Sequence, residues 1–206
     1  MHDEAKAFTV YVKNLFPAYF SGTTVLDVGS GDINGNNRFL FDASCDYHGN
    51  DVFNAPNVTI VSKTSALPFE DGKFDMIIST ECFEHDPEYA QSWRKIYDML
   101  KPGGLFAFTC ASDGRPEHGT RRTTPQDSYG TLGNVEGWTD YYLNLNLASL
   151  QSVFNLPTEF TQWKSYYNSY TKDLYFWGVK PGGEQPAPPI LVPYSEWAPS
   201  VTENTL

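Results

Sequence analysis

The stretch Val25–Asn37, VLDVGSGDINGNN, decides the fold. It runs from an aliphatic segment suited to a buried strand into a turn carrying Gly29, Gly31 and Gly35. Glycines spaced in this way let the main chain bend sharply and let another group come close, and a helix beginning after the turn would offer unpaired N–H groups to a ligand. Any tight strand-to-helix turn uses glycine as well, so the meaning of the stretch depends on what surrounds it.

Working outward, Thr23–Val28 reads as a strand, Asn36–Asp42 as a short helix, and Tyr47–Asp51 and Val58–Val61 as further strands. Phe74–Thr80 (FDMIIST) is the clearest buried strand, being nearly all apolar and too short for a helix. Pro87–Leu100 reads as a helix with Asp86 at its N-cap, Pro87 in its first position and Tyr89, Trp93, Ile96, Tyr97 and Leu100 on the apolar face. The KPGG turn stops it, and Leu105–Cys110 is the next buried strand. Upstream, Glu4–Phe20 places Ala7, Val10, Tyr11, Leu15 and Ala18 on one helix face, with Pro17 bending or ending it early. Downstream, Ala111–Trp138 is long, polar and without period, Leu147–Phe154 fits a short helix, and Glu159–Tyr167 and Asp173–Val179 fit a hairpin. Strands alternating with helices predict an α/β, Rossmann-like, doubly wound, mostly parallel sheet with a C-terminal antiparallel strand. One domain over residues 1–180 is expected, with 111–146 as an insertion on the substrate side and 181–206 as a Pro-rich tail.

The chain has 206 residues and a formal net charge of -11, with no basic cluster larger than a pair such as Arg121–Arg122. That composition argues against a nucleic-acid partner, while a cationic small ligand would meet a favourable field. The three cysteines are scattered and fit free thiols in a reducing compartment. No C-x-x-C or H-E-x-x-H spacing occurs, so no metal is expected. The N-terminal MHDEAKAFTV has acids where a signal peptide carries positive charge, and no apolar run approaches about 18 residues. A soluble cytoplasmic protein without a membrane partner is the expectation.

DVGSG at 27–31, Asp51 after the second strand, SALPFEDGKFDMIIST at 65–80, ECFEH at 81–85 and LKPGGLFAFT at 100–109 occur in that order. Together they resemble the class I S-adenosylmethionine-dependent methyltransferases, of the type-11-like group that modifies small molecules, over about residues 22–110. The resemblance implies S-adenosyl-L-methionine as cofactor, with Asp27, Gly29, Ser30 and Gly31 along its methionine half. Asp51, followed by Val52, would meet the ribose hydroxyls, because a carboxylate accepts two hydrogen bonds at once. Ser65, Ala66 and Leu67 would flank the adenine, and Thr80, Glu81 and His85 would face the methyl group and the acceptor. Two departures stand out: Ile33 occupies the place of a frequent third glycine, and Lys63 that of a frequent carboxylate.

The chemistry implied is methyl transfer to a polar small-molecule acceptor, O-methylation above all. A hydroxyl acceptor must lose a proton, and His85 and His118 are alternative general bases, with Glu81 beside them as a further catalytic candidate. Arg115, Arg121 and Arg122 could clamp an acceptor's carboxylate or phosphate, with Tyr141 nearby. Each residue also has a plain structural role open to it: Asp27 and Asp51 as turn residues, His85 as a capping residue, His118 as a solvated loop residue, Tyr141 as packing. Two rival functions remain open. One is a nicotinamide-dependent oxidoreductase, although the last glycine of G-x-G-x-x-G would fall on Asn34. The other is a catalytically degenerate cofactor-binding domain.

Overall fold

The computed structural model describes residues 1–189 and 198–205. The strands are β1 (Thr24–Val28), β2 (Asp46–Asp51), β3 (Ile60–Val61), β4 (Phe74–Thr80), β5 (Leu100–Ala111), β6 (Gln162–Asn168), β7 (Asp173–Val179) and β8 (Val201–Glu203). They form one sheet in the order β3-β2-β1-β4-β5-β7-β6-β8. Pairs from β3 through β5 are parallel, while β7, β6 and β8 join antiparallel. The α/β, mostly parallel architecture is therefore as the sequence predicts, and its antiparallel edge is larger than one strand.

Burial on both faces explains the near-continuous apolar strands. Leu26, Ile77, Phe106, Phe108 and Phe176 point to one face, where they pack with Trp93, Ile96 and Met99 of α2 (Tyr89–Met99). The alternate residues Val25, Met76, Ile78, Ala107 and Trp177 point to the other, against Phe8 and Val12 of α1 (Asp3–Leu15). Period-two alternation thus assigns each strand residue to one of two cores.

Several boundaries differ from the sequence expectation. Helix α1 ends at Leu15, and Pro17 opens a separate 3-10 turn, Pro17–Phe20. Its buried side is Ala5, Phe8, Tyr11 and Val12, while Ala18 is exposed, because the Phe8 ring stacks on Tyr175 at 4.8 Å and sets the rotation of the helix. α2 starts at Tyr89, two residues later than expected. Asp86 instead ties the entry turn, accepting from the Glu88 N–H at 2.7 Å and from Ser92 Oγ at 2.6 Å. KPGG lies within β5 as an irregularity: the register steps from Phe74↔Leu100 to Met76↔Leu105, with Gly103 at φ +80°. Val58 and Thr59 fall outside β3, which is two residues long. Within the segment after residue 180, β8 pairs with β6; residues 190–197 and 206 lie outside the described residues.

The main surprise follows the glycine turn. Where a helix was expected over Asn36–Asp42, only a 3-10 turn forms, Asn37–Leu40, with Asn36 accepting from the Arg38 N–H. A single 3-10 turn sums too few aligned peptides to act as a dipole, so whatever binds at the end of β1 relies on side chains.

Candidate active site

A cavity opens at the carboxyl ends of β1, β2 and β4, at the point where the strand order reverses, β1 lying between β2 and β4. Asp27, Gly29, Gly31, Asp51 and Val52 line one part, and Thr80, Glu81, His85, Arg115 and His118 line the rest. The fold thus gathers ten sequence-predicted residues from four segments around one space.

The glycines answer to close neighbours. Gly29 has φ +68°, and a Cβ there would sit 2.4 Å from Cys82 Sγ. A Cβ on Gly31 would sit 2.5 Å from the Tyr129 ring and 2.8 Å from Asp51 Oδ2. Tyr129 belongs to α3 (Tyr129–Leu132) in the long insertion, and its hydroxyl donates to the Asp32 carbonyl at 3.0 Å. The insertion therefore folds over the glycine turn, and the room the glycines make is used by this chain's own side chains.

Asp27 is fully buried, yet its carboxylate is well served. Oδ1 accepts from Asn37 Nδ2 at 2.9 Å and Oδ2 from the Tyr47 hydroxyl at 2.5 Å. The Asn37 amide also donates to Thr80 Oγ1 at 3.2 Å, linking the ends of β1 and β4. Burial raises the Asp27 pKa to about 6, against the pull of those donors. Asp51 accepts from the Gly31 N–H at 3.1 Å and the Val52 N–H at 2.7 Å, and burial raises its pKa to about 6 as well.

The far wall is polar and crowded. Glu81 sits at φ +52°, a left-handed conformation costly for a side-chain-bearing residue. Its Oε1 accepts from Thr109 Oγ1 at 2.7 Å. His2 Nε2 lies 3.3 Å from Glu81 and 3.0 Å from Asp173, which in turn contacts Arg115 at 3.0 Å. Burial opposes the His2 imidazolium, but Asp173 and Glu81 outweigh it and hold its pKa near 10. Deeper, the His85 and His118 rings meet edge to face at 5.0 Å and Tyr142 packs on both. Burial depresses the His85 pKa to about 4.

Other expected residues lie elsewhere. Ser30 is buried, with its N–H on the Asn50 carbonyl and its hydroxyl on that of Asn57, which leaves it holding the turn together. Ser65 donates to Glu88, Ala66 is exposed and Leu67 is in the core; Thr64 reaches the cavity in their place. The reason is local: 64–66 form a 3-10 turn that aims Thr64 inward. Arg121 pairs with Asp140 and Arg122 with Glu117 on the exposed insertion surface, so neither points into the cavity. Tyr141 is also outside it, whereas its neighbour Tyr142 touches both histidines.

Sequence reasoning missed His2, Asn37, Thr64, Tyr129 and Trp138, all of which line the cavity. Asn37 alone had a legible signal, as an asparagine closing the glycine-rich stretch. Its Oδ1 is buried without a hydrogen-bond partner, on a side chain that lines the cavity beside Asp27, and such an acceptor suits an ammonium group. Together with the Asp51 carboxylate, which can receive a diol, this polar set fits an amino-acid-bearing nucleoside such as S-adenosylmethionine.

Residues 26–108 match the family described as "Methyltransferase domain". Over 126 residues the chain is 29% identical to phosphoethanolamine N-methyltransferase 2 of Caenorhabditis elegans, covering 53% of this chain and 28% of that protein. Over 105 residues it is 36% identical to 2-methyl-6-phytyl-1,4-hydroquinone methyltransferase of Synechocystis sp., covering 41% and 30%. The match therefore spans under a third of each of these relatives. Among solved structures, phosphoethanolamine N-methyltransferase 2 of Haemonchus contortus in complex with S-adenosyl-L-methionine superposes with a TM-score of 0.59 at 17% identity, over 86% of this chain and 53% of that one. The likeness of the two structures is one of fold.

Proposed function

We propose that this chain, whose residues 26–108 belong to the class I S-adenosylmethionine-dependent methyltransferases, transfers a methyl group to an oxygen of a polar small molecule. The observation that carries this is the single cavity wall running from Asp27, Asn37 and Asp51 to Glu81, His85 and His118. A cofactor held at the first three residues leaves the last three for the acceptor.

Asp51 would hold the ribose hydroxyls, and Asn37 Oδ1, beside Asp27, the ammonium of the methionine part. The bound cofactor supplies an electrophilic methyl group: the acceptor oxygen's lone pair forms the O–CH3 bond while the S–CH3 bond breaks, its electron pair staying on sulfur. The protein's part is positioning and exclusion of water, for which effective molarity carries several kcal/mol. Tyr129 and Trp138 of the insertion contribute by covering the cavity. The acceptor loses its proton at the corner formed by Glu84, His85 and His118, where buried basic atoms have no hydrogen-bond partner.

Arg115 keeps a place at the acceptor end, although its guanidinium already serves Asp173 and the Thr171 carbonyl. A cytoplasmic setting fits the free thiols Cys45, Cys82 and Cys110, and no helix among the described residues is long and apolar enough to cross a membrane. Residues 1–180 with β8 would make up the domain, and 111–146 the acceptor-side insertion. The nicotinamide alternative loses support because the named relatives are methyltransferases and Asn34 interrupts the glycine pattern.

The test is an acceptor screen with methyl-labelled S-adenosylmethionine over hydroxy acids, polar phenols, sugars and small amines. Label transfer to hydroxyl acceptors supports the proposal. Transfer only to amines, or only to lipid-like phenols, would move the acceptor assignment.

A further inference from the structure

Glu84 is 0% exposed, and neither of its carboxylate oxygens has a hydrogen-bond partner. A buried anion in that state is costly unless a cation neutralises it. Among the described residues no Lys or Arg is paired with it. His118 is the nearest basic group, with Nε2 3.8 Å from Glu84 Oε1, beyond hydrogen-bonding range. The His118 ring is also oriented: a proton on Nδ1 donates to the Pro116 carbonyl at 3.2 Å, which turns Nε2 toward the carboxylate, and, against the effect of burial, Glu84 raises the His118 pKa. A proton on Nε2 or a metal ion can occupy the gap between that nitrogen and the carboxylate oxygen. His85 completes the corner, buried, with Nδ1 lacking a partner.

We infer that Glu84, His85 and His118 bind one divalent first-row transition-metal ion at the inner end of the cavity. Their ligand atoms all lie within 4.8 Å of one another. An ion taking imidazole nitrogen and carboxylate oxygen at about 2.0–2.2 Å, with further positions open, holds its three donors about 3.0–3.6 Å apart, so the side chains must draw together by about an ångström to close the site. Two imidazoles and one carboxylate suit Zn²⁺, Mn²⁺, Co²⁺ or Fe²⁺, and the Nδ1–Pro116 contact is the kind of outer hydrogen bond that fixes the tautomer of a ligating histidine. Three protein ligands leave positions open toward the cavity, which His85 and His118 line. The second carboxylate–histidine group, His2, Glu81 and Asp173, is already balanced by Arg115 and the cationic His2.

The ion's role rests on the methyl-transfer proposal; its binding does not. With the ion bound, Glu84, His85 and His118 are its ligands and no longer the base: at an open position the ion would take the acceptor's hydroxyl oxygen and lower the pKa of that hydroxyl, so that the proton leaves to water and the oxygen keeps its pair for attack.

The experiment uses the full chain, freed of metal by chelation and dialysis, and titrated with Zn²⁺ by calorimetry and with Co²⁺ by visible absorption. One ion per chain is expected, with Co²⁺ ligand-field bands, and Glu84→Gln and His118→Ala should each weaken binding by about 100-fold or more. Binding of S-adenosylhomocysteine, measured on metal-free wild type and on both variants, reports the fold and the cofactor site separately. Should Glu84→Gln fail to fold, His118→Ala on the cavity wall carries the test. Absence of a bound ion in wild type that binds S-adenosylhomocysteine would overturn the inference and leave a Glu84–His118 base pair in its place. Ion binding unchanged in a folded variant would overturn it equally.

Discussion

The Gly31 N–H donates to the Asp51 carboxylate at 3.1 Å, so the glycine turn after β1 and the end of β2 are joined by the group assigned to the ribose. Burial raises the Asp51 pKa to about 6 against the pull of this contact, so binding of a cofactor at that carboxylate would be sensitive to pH.

Protonation removes the charge that favours a hydroxyl donor, so affinity for S-adenosylhomocysteine should fall as pH drops through about 6, by up to about tenfold per unit. Asp27, also near 6, acts in the same direction. The free fold responds oppositely. Both groups bind a proton more tightly folded than unfolded, so their contribution to stability rises from about pH 6 toward 4. Calorimetry at pH 7.5 and 5.0, with thermal melts alongside, separates the effects: weaker binding at the lower pH without loss of the folded state is expected.

Gly29→Ala places a Cβ 2.4 Å from Cys82 Sγ at a φ of +68°. The backbone alone costs about 1–2 kcal/mol, and the clash must displace Cys82, which lines the cavity. Loss of cofactor binding in a protein that still folds is expected, as read by calorimetry and far-UV circular dichroism.

Trp93→Ala removes the largest fully buried side chain on α2, packed against Phe83 at 5.6 Å and Phe108 at 5.3 Å. Destabilisation of about 3–5 kcal/mol is expected from the cavity left behind, measured by urea unfolding.

Arg121→Ala with Arg122→Ala should leave the acceptor's KM within about threefold of wild type, since both guanidiniums pair with Asp140 and Glu117 on the solvent side. A large rise in KM would return them to the acceptor site.

Legibility in the sequence followed the range of the forces involved. Phe74–Thr80 and Asp173–Val179 were readable to the residue because burial on both faces leaves an apolar run of strand length. Asp27, Asp51 and Thr80, in or at the ends of β1, β2 and β4, line the cavity, and the resemblance singled them out from the sequence. The 3-10 turn after Gly35 was hidden because a helix continues only where tertiary packing supports it. β8 was hidden because three residues after a proline-rich stretch carry no periodic signal. His2, Tyr129 and Trp138 reach the cavity only through the chain's return from distant segments, and the Glu84–His118 relationship joins β4's end to the insertion. The glycines were read as room for a ligand, whereas Cys82 and Tyr129 are what come closest to them.

The most direct test is calorimetric titration of the wild type and Asp51→Ala with S-adenosylhomocysteine, with NAD as control. Binding of one S-adenosylhomocysteine per chain at micromolar concentration, lost in Asp51→Ala and not reproduced by NAD, is the expected result. Binding of NAD alone, or S-adenosylhomocysteine binding unaffected by Asp51→Ala, would contradict a cofactor site built on that carboxylate.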